Sequence, residues 1–427
     1  MSLKGKVIKN TAWLLSEKII NIFGLIFITS FVAKYIGPDN FGKLSLATYM
    51  FSIIQTVSIW GTDTICTKKI SRNYNLGLSL LFHASRFRNL VFLITTSPLI
   101  IYLYFNSDAT TLYFAIAVAI STLITIQDVY VIINDATYNS KLNVISNVIG
   151  LVISLVLRFS IVELNLPIIF ICIPIITLNL IPFLIRFYIF RKENILSLIS
   201  ADKITKKFNS FVFYSGLPLV ISSISVAIYF NSSRLMLAAV ENTKMLGIYS
   251  VAITLGSSWS FISYALVTSV TPKLFSSKNL DQAGLISSFV SQVIIIISIL
   301  YFLFFVLFGK IFIHKLYGID YIYAYEVCFP IIIATCLSSL GVISSRFIIF
   351  NNGYSYLGKK NIFTCIFSIF FSYVMISKYS LIGAAYSTMV IEILSLTFFN
   401  YLFNKGVVMK IHLNILNFNS FIKLIMR

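Results

Sequence analysis

The chain alternates long apolar runs that carry no charge with short segments rich in lysine and arginine. Nine charge-free runs occupy 44–62, 89–107, 109–127, 142–157, 164–185, 208–233, 245–272, 282–309 and 327–345. A helix of about 20 apolar residues crosses a bilayer, so most of these runs predict a spanning helix. Three more spans are predicted over 11–33, 361–377 and 381–403, which contain at most two charged residues each. The pattern predicts an all-α polytopic membrane protein with about twelve spanning helices.

Composition and charge support this class and add an orientation. Hydrophobic residues make up 58% of the 427 residues and charged residues only 11%, against roughly 25% charged in soluble proteins. The net charge of +19 would indicate a nucleic-acid binder in a soluble protein. Here 23 lysines and arginines, including Arg88, Arg186 and Lys360, fall in segments on one side of the predicted spans and 7 on the other. The positive-inside rule therefore predicts that both termini are cytoplasmic.

Weak internal similarity indicates that the chain is duplicated. Residues 37–47 before the second span resemble 246–252 before the eighth, and 132–135 after the fourth resemble 350–353 after the tenth. Six spans per repeat give both halves one orientation, so we expect two six-helix lobes related by a pseudo-twofold axis along the membrane normal. The predicted boundaries are an N-terminal lobe over 1–205 and a C-terminal lobe over 206–404.

The remaining residues, 405–427, are predicted to form a cytoplasmic amphipathic tail. Its apolar residues recur at helical spacing and are accompanied by Lys410, Lys423 and Arg427. This pattern is typical of a helix that lies at a membrane surface.

Ionisable residues inside spans are the candidate functional groups. The sequence shows no catalytic constellation, glycine-rich phosphate loop or metal-ligand spacing, so we expect neither an enzyme nor a bound cofactor or metal. Charges at membrane depth are costly and usually face a partner or a watery cavity. The candidates are Glu17, Lys18, Asp128, Arg158, Arg234, Arg346 and Glu392. For each cation the alternative is that its long side chain reaches the membrane surface.

Two of the acids suggest specific roles. Asp128 and Arg346 occupy equivalent positions of the two halves at an offset of 218, and our hypothesis is that they face each other across the symmetry axis as a gate. The alternative is that each has a local partner. Glu392 lies deepest, where desolvation favours the protonated acid, so it is a candidate for proton coupling or for a hydrogen bond within its own lobe.

Several fragments, in order and spacing, resemble a known family. They are Asn10-Thr11-Ala12-Trp13, Gly37-Pro38-Asp39-Asn40-Phe41-Gly42, Arg234-Leu235-Met236-Leu237, Leu246-Gly247-Ile248-Tyr249-Ser250, Pro272-Lys273-Leu274 and Gly383-Ala384-Ala385. The chain is similar to Wzx-type O-antigen flippases, the polysaccharide transport branch of the multidrug/oligosaccharidyl-lipid/polysaccharide exporters. That family often has an acid immediately before the arginine of span 7, where this chain has Ser233.

The resemblance implies a function and a set of roles. The implied substrate is an undecaprenyl-diphosphate-linked oligosaccharide, a repeat unit of O-antigen or capsule, moved by alternating access through a cationic cavity flanked by two lobes. Lys18, Arg158, Arg234 and Arg346 are the expected substrate-binding cations, and Glu17, Asp128 and Glu392 the expected gating or coupling acids for a proton or sodium gradient. A polysaccharide polymerase and a chain-length regulator are possible partners.

Other functions stay open at this point. One alternative is a flippase for another lipid-linked precursor, and another is an antiporter for small cationic drugs, which calls for an acidic cavity. A membrane-embedded polymerase or glycosyltransferase of the same pathway is disfavoured, because no predicted loop is long enough to carry a catalytic domain.

Overall fold

The computed structural model describes residues 3–137, 139–192 and 205–415, and every regular element there is helical. This confirms the all-α class. The helices are α1 Leu3–Ile59, α2 Thr62–Arg72, α3 Tyr74–Asn106, α4 Ala109–Gln127, α5 Tyr130–Ala136, α6 Ser140–Glu163, α7 Cys172–Lys192, α8 Thr205–Val240, α9 Thr243–Ser257, α10 Ser260–Phe275, α11 Leu280–Leu316, α12 Ala324–Phe350, α13 Tyr354–Leu396, α14 Phe398–Tyr401 and α15 Val407–Ile415. Short 3-10 turns occupy Ile168–Ile171, Ile319–Tyr321 and Phe403–Gly406.

Many of these helices are long and apolar enough to cross a membrane. Within the described residues eight helices meet this test, and up to ten if each of two bent pairs is one span. The bent pairs are Thr29–Ile59 with Thr62–Arg72, at 43°, and Thr243–Ser257 with Ser260–Phe275, at 46°. The protein is therefore a multi-pass membrane protein, and the number of twelve spans stays a prediction.

Two of the longest helices contain a backbone break. Gly37 interrupts α1 with φ 75° and ψ 168°, a conformation that glycine adopts without a Cβ clash, and Pro38 then starts the next helical turn with a fixed φ. Ser380 interrupts α13 with φ 50° and ψ −129°. Both breaks fall between runs that the sequence assigns to separate spans, 11–33 and 44–62 in the first case and 361–377 and 381–403 in the second.

The chain divides into two compact units, Met1–Ile228 (unit 1) and Tyr229–Arg427 (unit 2), with the division inside α8. Each unit has its own buried apolar cluster. The cluster of unit 1 includes Leu78, Leu81 and Ile133, and that of unit 2 includes Ile294, Ile343 and Phe347. The predicted lobe boundary at 205/206 and the symmetry axis stay predictions.

Close helix packing in unit 1 depends on a small residue. α6 packs against α1 and α7, and α4 also packs against α1 and α7. At Gly150 of α6, an added Cβ would lie 2.5 Å from Cγ and Cδ of Pro182 in α7. Any larger residue must push these helices apart, so Gly150 sets the α6–α7 distance.

In unit 2, α12 packs against α9, α11 and α13, and α15 packs against α11 and α12. The amphipathic tail is helical over its described part, 407–415. Its apolar residues Val408 and Ile411 are buried in the core cluster of unit 2, and Ser288 of α11 donates a hydrogen bond to the carbonyl of Ile411 at 2.9 Å. Val408 and Ile411 therefore contact protein, whereas Met409 and Leu413 of the same helix are exposed, and the membrane-surface role of the tail stays a prediction. Residues 416–427 lie outside the described residues.

Candidate functional site: two polar cavities

Unit 1 contains a polar cavity of about 450 Å³, referred to below as the unit 1 cavity. Five charged side chains of the described residues line it, and the charge balance below refers to these: Asp63 on α2, Arg88 on α3, Asp128 after α4, Arg158 on α6 and Arg186 on α7. Three guanidinium groups and two carboxylates give this lining one excess positive charge. A charged cavity among apolar helices is a functional-site candidate, because such charges are costly at membrane depth.

Asp128 and Arg186 form an ion pair with both side chains buried, at 6% and 4% exposure. Arg186 Nε donates to Asp128 Oδ2 at 2.9 Å and Oδ1 at 3.1 Å, and Nη2 also donates to Oδ2. Arg186 Nη1 donates to Asn147 Oδ1 at 2.9 Å. Since bidentate carboxylate–guanidinium contacts are among the strongest in proteins, this pair fastens the end of α4 to α7, with α6 supplying the amide.

Arg88 forms a second ion pair at the other side of the lining. Its Nη2 donates to Asp63 Oδ1 and its Nε to Thr62 Oγ1. The Arg88 side chain is buried, whereas that of Asp63 is 48% exposed. Gly61 precedes α2 with φ 66°, so the turn at the start of α2 presents Thr62 and Asp63 to α3.

Arg158 is the third cation of this cavity, and no carboxylate of the described residues forms an ion pair with it. Its Nε–H is buried and donates to no acceptor among the described residues. Thr29 of α1 lines the same cavity, and its Oγ1 is likewise buried and unpartnered within the described part of the chain. An unsatisfied buried polar group costs about 1–3 kcal/mol, and more when it is charged. These two atoms therefore mark the part of the cavity where hydrogen-bond acceptors are missing among the described residues.

Unit 2 contains a smaller cavity of about 230 Å³, referred to below as the unit 2 cavity. Glu392 and Arg234 line it together with many hydroxyl groups, among them Tyr229, Ser338 and Thr388. Glu392 is 6% exposed, and Tyr229 Oη donates to its Oε1 at 3.2 Å. Arg234 Nη1 donates to Asn231 Oδ1 at 2.8 Å.

A buried hydroxyl network adjoins Glu392. Ser233 on α8 contacts Ser387 at 2.9 Å and Ser372 at 3.1 Å, both on α13, and Thr388 donates to Ser233 at 3.0 Å. Thr388 also contacts Tyr249 Oη of α9 at 2.9 Å. Ser233, the residue at the position where the resembled family often has an acid, therefore joins three helices through neutral hydrogen bonds.

The remaining predicted residues fall into two groups. The side chains of Glu17 and Lys18 lie outside the described residues. Arg346 lies on α12 with an exposed side chain. Asp128 has a local partner in Arg186, which is the alternative that the sequence left open. The contact proposed between Asp128 and Arg346 joins the two units and stays a prediction.

Sequence reasoning missed three buried cations by placing them in cytoplasmic segments. Arg88, Arg186 and Lys360 are 2%, 3% and 7% exposed, because α3, α7 and α13 extend beyond the charge-free runs that predicted them. Lys360 Nζ donates to Asn400 Oδ1 at 2.8 Å and interacts electrostatically with Glu392. A sequence signal existed for Arg186, since Asp128 lies next to a predicted span and a carboxylate at that depth needs a partner.

Comparison with known proteins places these cavities in context. Residues 7–278 match the sequence profile of the family described as polysaccharide biosynthesis protein. No curated protein sequence matches the chain significantly.

Solved structures share the fold at low sequence identity. An inward-facing multidrug resistance MATE family transporter of the MOP superfamily aligns with TM-score 0.65 and 14% identity, covering 93% of this chain and 95% of that one. An outward-facing structure of such a transporter aligns with TM-score 0.61 and 13% identity, over 96% of each chain. A MOP superfamily transporter from Pyrococcus furiosus, for which reverse polarity of the binding pocket suggests a different function, aligns with TM-score 0.61 and 14% identity, over 95% of each chain.

These identities show the fold alone, which is that of MOP superfamily transporters. The family profile covers well over half of the chain. The chain therefore belongs to the polysaccharide biosynthesis protein family and has the fold of a MOP superfamily transporter.

Proposed function

We propose that the protein is a flippase that moves undecaprenyl-diphosphate-linked oligosaccharides, the repeat units of O-antigen or capsule, from the cytoplasmic to the periplasmic leaflet of a bacterial inner membrane. The lipid tail stays in the bilayer while the head group passes through the protein by alternating access. This assignment makes the protein a transporter in lipopolysaccharide or capsule biosynthesis, with both termini cytoplasmic and no reaction to catalyse.

The observation that carries the proposal is the unpaired Arg158 in the unit 1 cavity. A diphosphate cannot enter hydrocarbon without compensation of its charge, and a guanidinium group binds phosphoryl oxygens through strong charge-assisted hydrogen bonds. Arg158 Nε is buried in the cavity without a partner among the described residues. The family of the chain agrees with a substrate of this class.

The other predicted residues take proposed roles around this one. Lys18, Arg234 and Arg346 are further cations for the diphosphate or the sugars. Glu17, Asp128 and Glu392 are proposed gating or coupling acids. Glu392 suits coupling to a proton or sodium gradient, because it is a buried carboxylate in a cavity lined by hydroxyl groups.

The charge of the unit 1 cavity separates this proposal from its alternatives. A drug or cation antiporter needs a cavity that attracts cations, and here the lining carries one excess positive charge. A flippase for another lipid-linked precursor shares the diphosphate chemistry and differs in the sugar part, so only substrate specificity distinguishes it. A polymerase and a chain-length regulator remain the proposed partners.

Translocation in proteoliposomes tests the function. The purified protein is reconstituted with a fluorescent undecaprenyl-diphosphate-linked oligosaccharide, and the fraction that reaches the outer leaflet is measured by lectin capture under an imposed proton or sodium gradient. We expect transport by the wild type and at least a tenfold slower rate for Arg158→Gln. Equal rates for wild-type and empty liposomes contradict the proposal, and efflux of a cationic dye in place of lipid transport indicates the antiporter.

A further inference from the structure

Two hydrogen-bond donors in the unit 1 cavity, Thr29 Oγ1 and Arg158 Nε, are buried and have no partner among the described residues. Threonine hydroxyls in helices usually donate to the carbonyl three or four residues earlier. Thr125, which lines the same cavity, does so to the carbonyl of Ser121 at 3.0 Å. Thr29 Oγ1 makes no such bond among the described residues, so its proton is available to a ligand.

The charge balance of the cavity isolates one positive site. Arg88 is neutralised by Asp63 and Arg186 by Asp128. Among the described residues of the lining, Arg158 is left as the cation without a paired carboxylate. Since burying an unpaired ion costs several kcal/mol, a group that neutralises Arg158 recovers this free energy when it binds. The ligand that fits is an anion that carries a single charge at this position.

Both unsatisfied atoms are hydrogen-bond donors, which defines the kind of anion. The guanidinium Nε–H donates and never accepts, and the Thr29 hydroxyl donates its free proton. α1, which carries Thr29, packs directly against α6, which carries Arg158. Two donors from neighbouring helices that face one cavity suit an oxyanion with more than one acceptor oxygen, and phosphoryl groups meet this description.

We infer that Thr29 and Arg158 form a binding site for one singly charged phosphoryl group inside unit 1. A diphosphate substituted at both ends, as in a lipid-linked oligosaccharide, carries one negative charge on each phosphoryl group. One phosphoryl group of such a substrate therefore matches this site, and the second binds elsewhere. The lipid-linked ligand rests on the proposed function, whereas the oxyanion site itself follows from the two unpartnered donors.

Neither Thr29 Oγ1 nor Arg158 Nε makes a hydrogen bond within the described part of the chain, so substitution at either position breaks no such bond there. Thr29→Val keeps the shape of the side chain and removes only the hydroxyl, and Thr125→Val is the matched control because its hydroxyl is already used within its own helix. Arg158→Gln removes the charge and breaks no ion pair that the described residues form. Size-exclusion profiles and thermal midpoints like those of the wild type confirm that each variant is folded.

Equilibrium dialysis of the full-length protein in phosphatidylcholine nanodiscs tests the site with two probes. One is inorganic phosphate, and the other is geranyl-diphospho-N-acetylglucosamine, a short lipid-linked analogue. We expect affinity for the analogue to fall at least tenfold in Arg158→Gln, three- to tenfold in Thr29→Val and less than twofold in Thr125→Val. If inorganic phosphate binds with the same variant losses and displaces the analogue, the site accepts free phosphate as well as a lipid head group.

Two outcomes overturn the inference. One is binding of neither probe to the wild type, and the other is an equal loss in Thr29→Val and Thr125→Val. The translocation assay separates this failure from failure of the proposed function. If the wild type moves lipid-linked oligosaccharide, and wild type and Thr29→Val bind the analogue with equal affinity, the protein is a flippase without this site. If the variants show the expected losses in affinity but the wild type moves no lipid, the oxyanion site is supported and the flippase assignment is contradicted.

Discussion

The two cavities accommodate polar groups in apolar surroundings by different means. The unit 1 cavity is lined by five charged side chains, four of which form ion pairs between helices. The unit 2 cavity is lined by hydroxyl groups around one carboxylate, Glu392, and by Arg234. A buried ion pair adds little net stability, but the removal of one partner is costly because it leaves the other charge buried and unpaired. In a neutral hydroxyl network the loss of one member costs less.

The same contrast exists between two arginines of unit 1, one that holds helices together and one that is available to a ligand. In unit 1, Arg186 and Arg158 line the same cavity, but Arg186 is fully engaged and Arg158 is not. A charge with a local partner stabilises the fold, whereas a charge without one costs stability and is retained for a ligand. The comparison therefore predicts opposite effects on stability for two substitutions of the same residue type.

The largest expected effect is the loss of Arg186. Arg186→Leu leaves Asp128 buried and unpaired, which destabilises by about 3–5 kcal/mol, and we expect a large fall in the thermal unfolding midpoint in detergent. Arg158→Leu removes a charge that no carboxylate of the described residues pairs with, so we expect an unchanged or higher midpoint. The double variant Asp128→Leu with Arg186→Met should recover most of the loss. Equal destabilisation by Arg186→Leu and Arg158→Leu would contradict the distinction.

The second effect concerns the packing that positions Arg186. Gly150→Ala places a methyl group 2.5 Å from two atoms of Pro182, and such overpacking costs about 1–3 kcal/mol. The matched change in unit 2 is Gly341→Ala in α12, where an added Cβ meets no atom within 4 Å. Alanine favours a helix over glycine by up to about 1 kcal/mol, so we expect a lower midpoint for the first variant and an equal or higher midpoint for the second. A similar fall in both would show that α6 and α7 tolerate separation.

The third prediction concerns the contribution of the hydroxyl network to the stability of unit 2. Ser372 on α13 has hydrogen-bond contacts with Ser233 and Ser387, whereas buried Ser287 donates to the carbonyl of Ala283 within its own helix. Ser372→Ala removes hydrogen bonds between elements and should cost about 1 kcal/mol. Ser287→Ala should be close to neutral. Unfolding of the two variants in parallel measures the difference, and equal midpoints would mean that the network adds no stability.

The sequence predicted those features that depend on the local pattern of hydrophobic and charged residues. Charge-free runs predicted the apolar helices, and the breaks at Gly37 and Ser380 fall between runs assigned to separate spans. Glu392, which the sequence placed inside a span, is 6% exposed, and its depth in the membrane stays a prediction. These properties depend on neighbours in the chain, which a hydrophobicity pattern records.

The partners of the charges were not predictable in the same way. Arg186 and Asp128 are 58 residues apart, and Arg88 and Asp63 are 25 apart. Each arginine lies at or beyond the edge of a charge-free run, so the pattern assigned it to a loop. Only the packing of α2 with α3 and of α4 with α7 brings these groups together. Their burial therefore follows from tertiary structure, and the unpartnered state of Arg158 becomes visible only after the other charges are paired.

The smallest effect extends the comparison to pH, using groups outside the spanning helices. In unit 1, Asp108 lies between α3 and α4. Burial alone would raise its pKa, but hydrogen bonds from Thr110, Thr111 and Lys43 outweigh this and hold the pKa well below its usual value. Such a carboxylate stabilises the fold above its ordinary pKa of about 3.9, and this stability is lost only as the pH falls further.

In unit 2, His412 of α15 affects stability at a higher pH than Asp108 does. Its Nδ1 lies 2.9 Å from Tyr401 Oη and its Nε2 3.2 Å from Ser344 Oγ. Burial of the ring lowers the pKa of His412 from 6.5 to about 4. Between these values the unfolded chain binds more protons than the folded one, so stability falls as the pH falls below 6.5.

We therefore expect the contacts of α15 to weaken between pH 6.5 and 4, before Asp108 loses its charge in unit 1. Hydrogen exchange followed by mass spectrometry at pH 7 and pH 5, corrected for the intrinsic rate, measures this for 407–415 and for 106–112 separately. Protection should fall in the first segment and stay unchanged in the second. His412→Gln keeps a polar side chain that does not titrate, so its α15 should show no such change. A pH response that persists in His412→Gln would assign the acid sensitivity to another group, and the two units would then not differ in the way their charges predict.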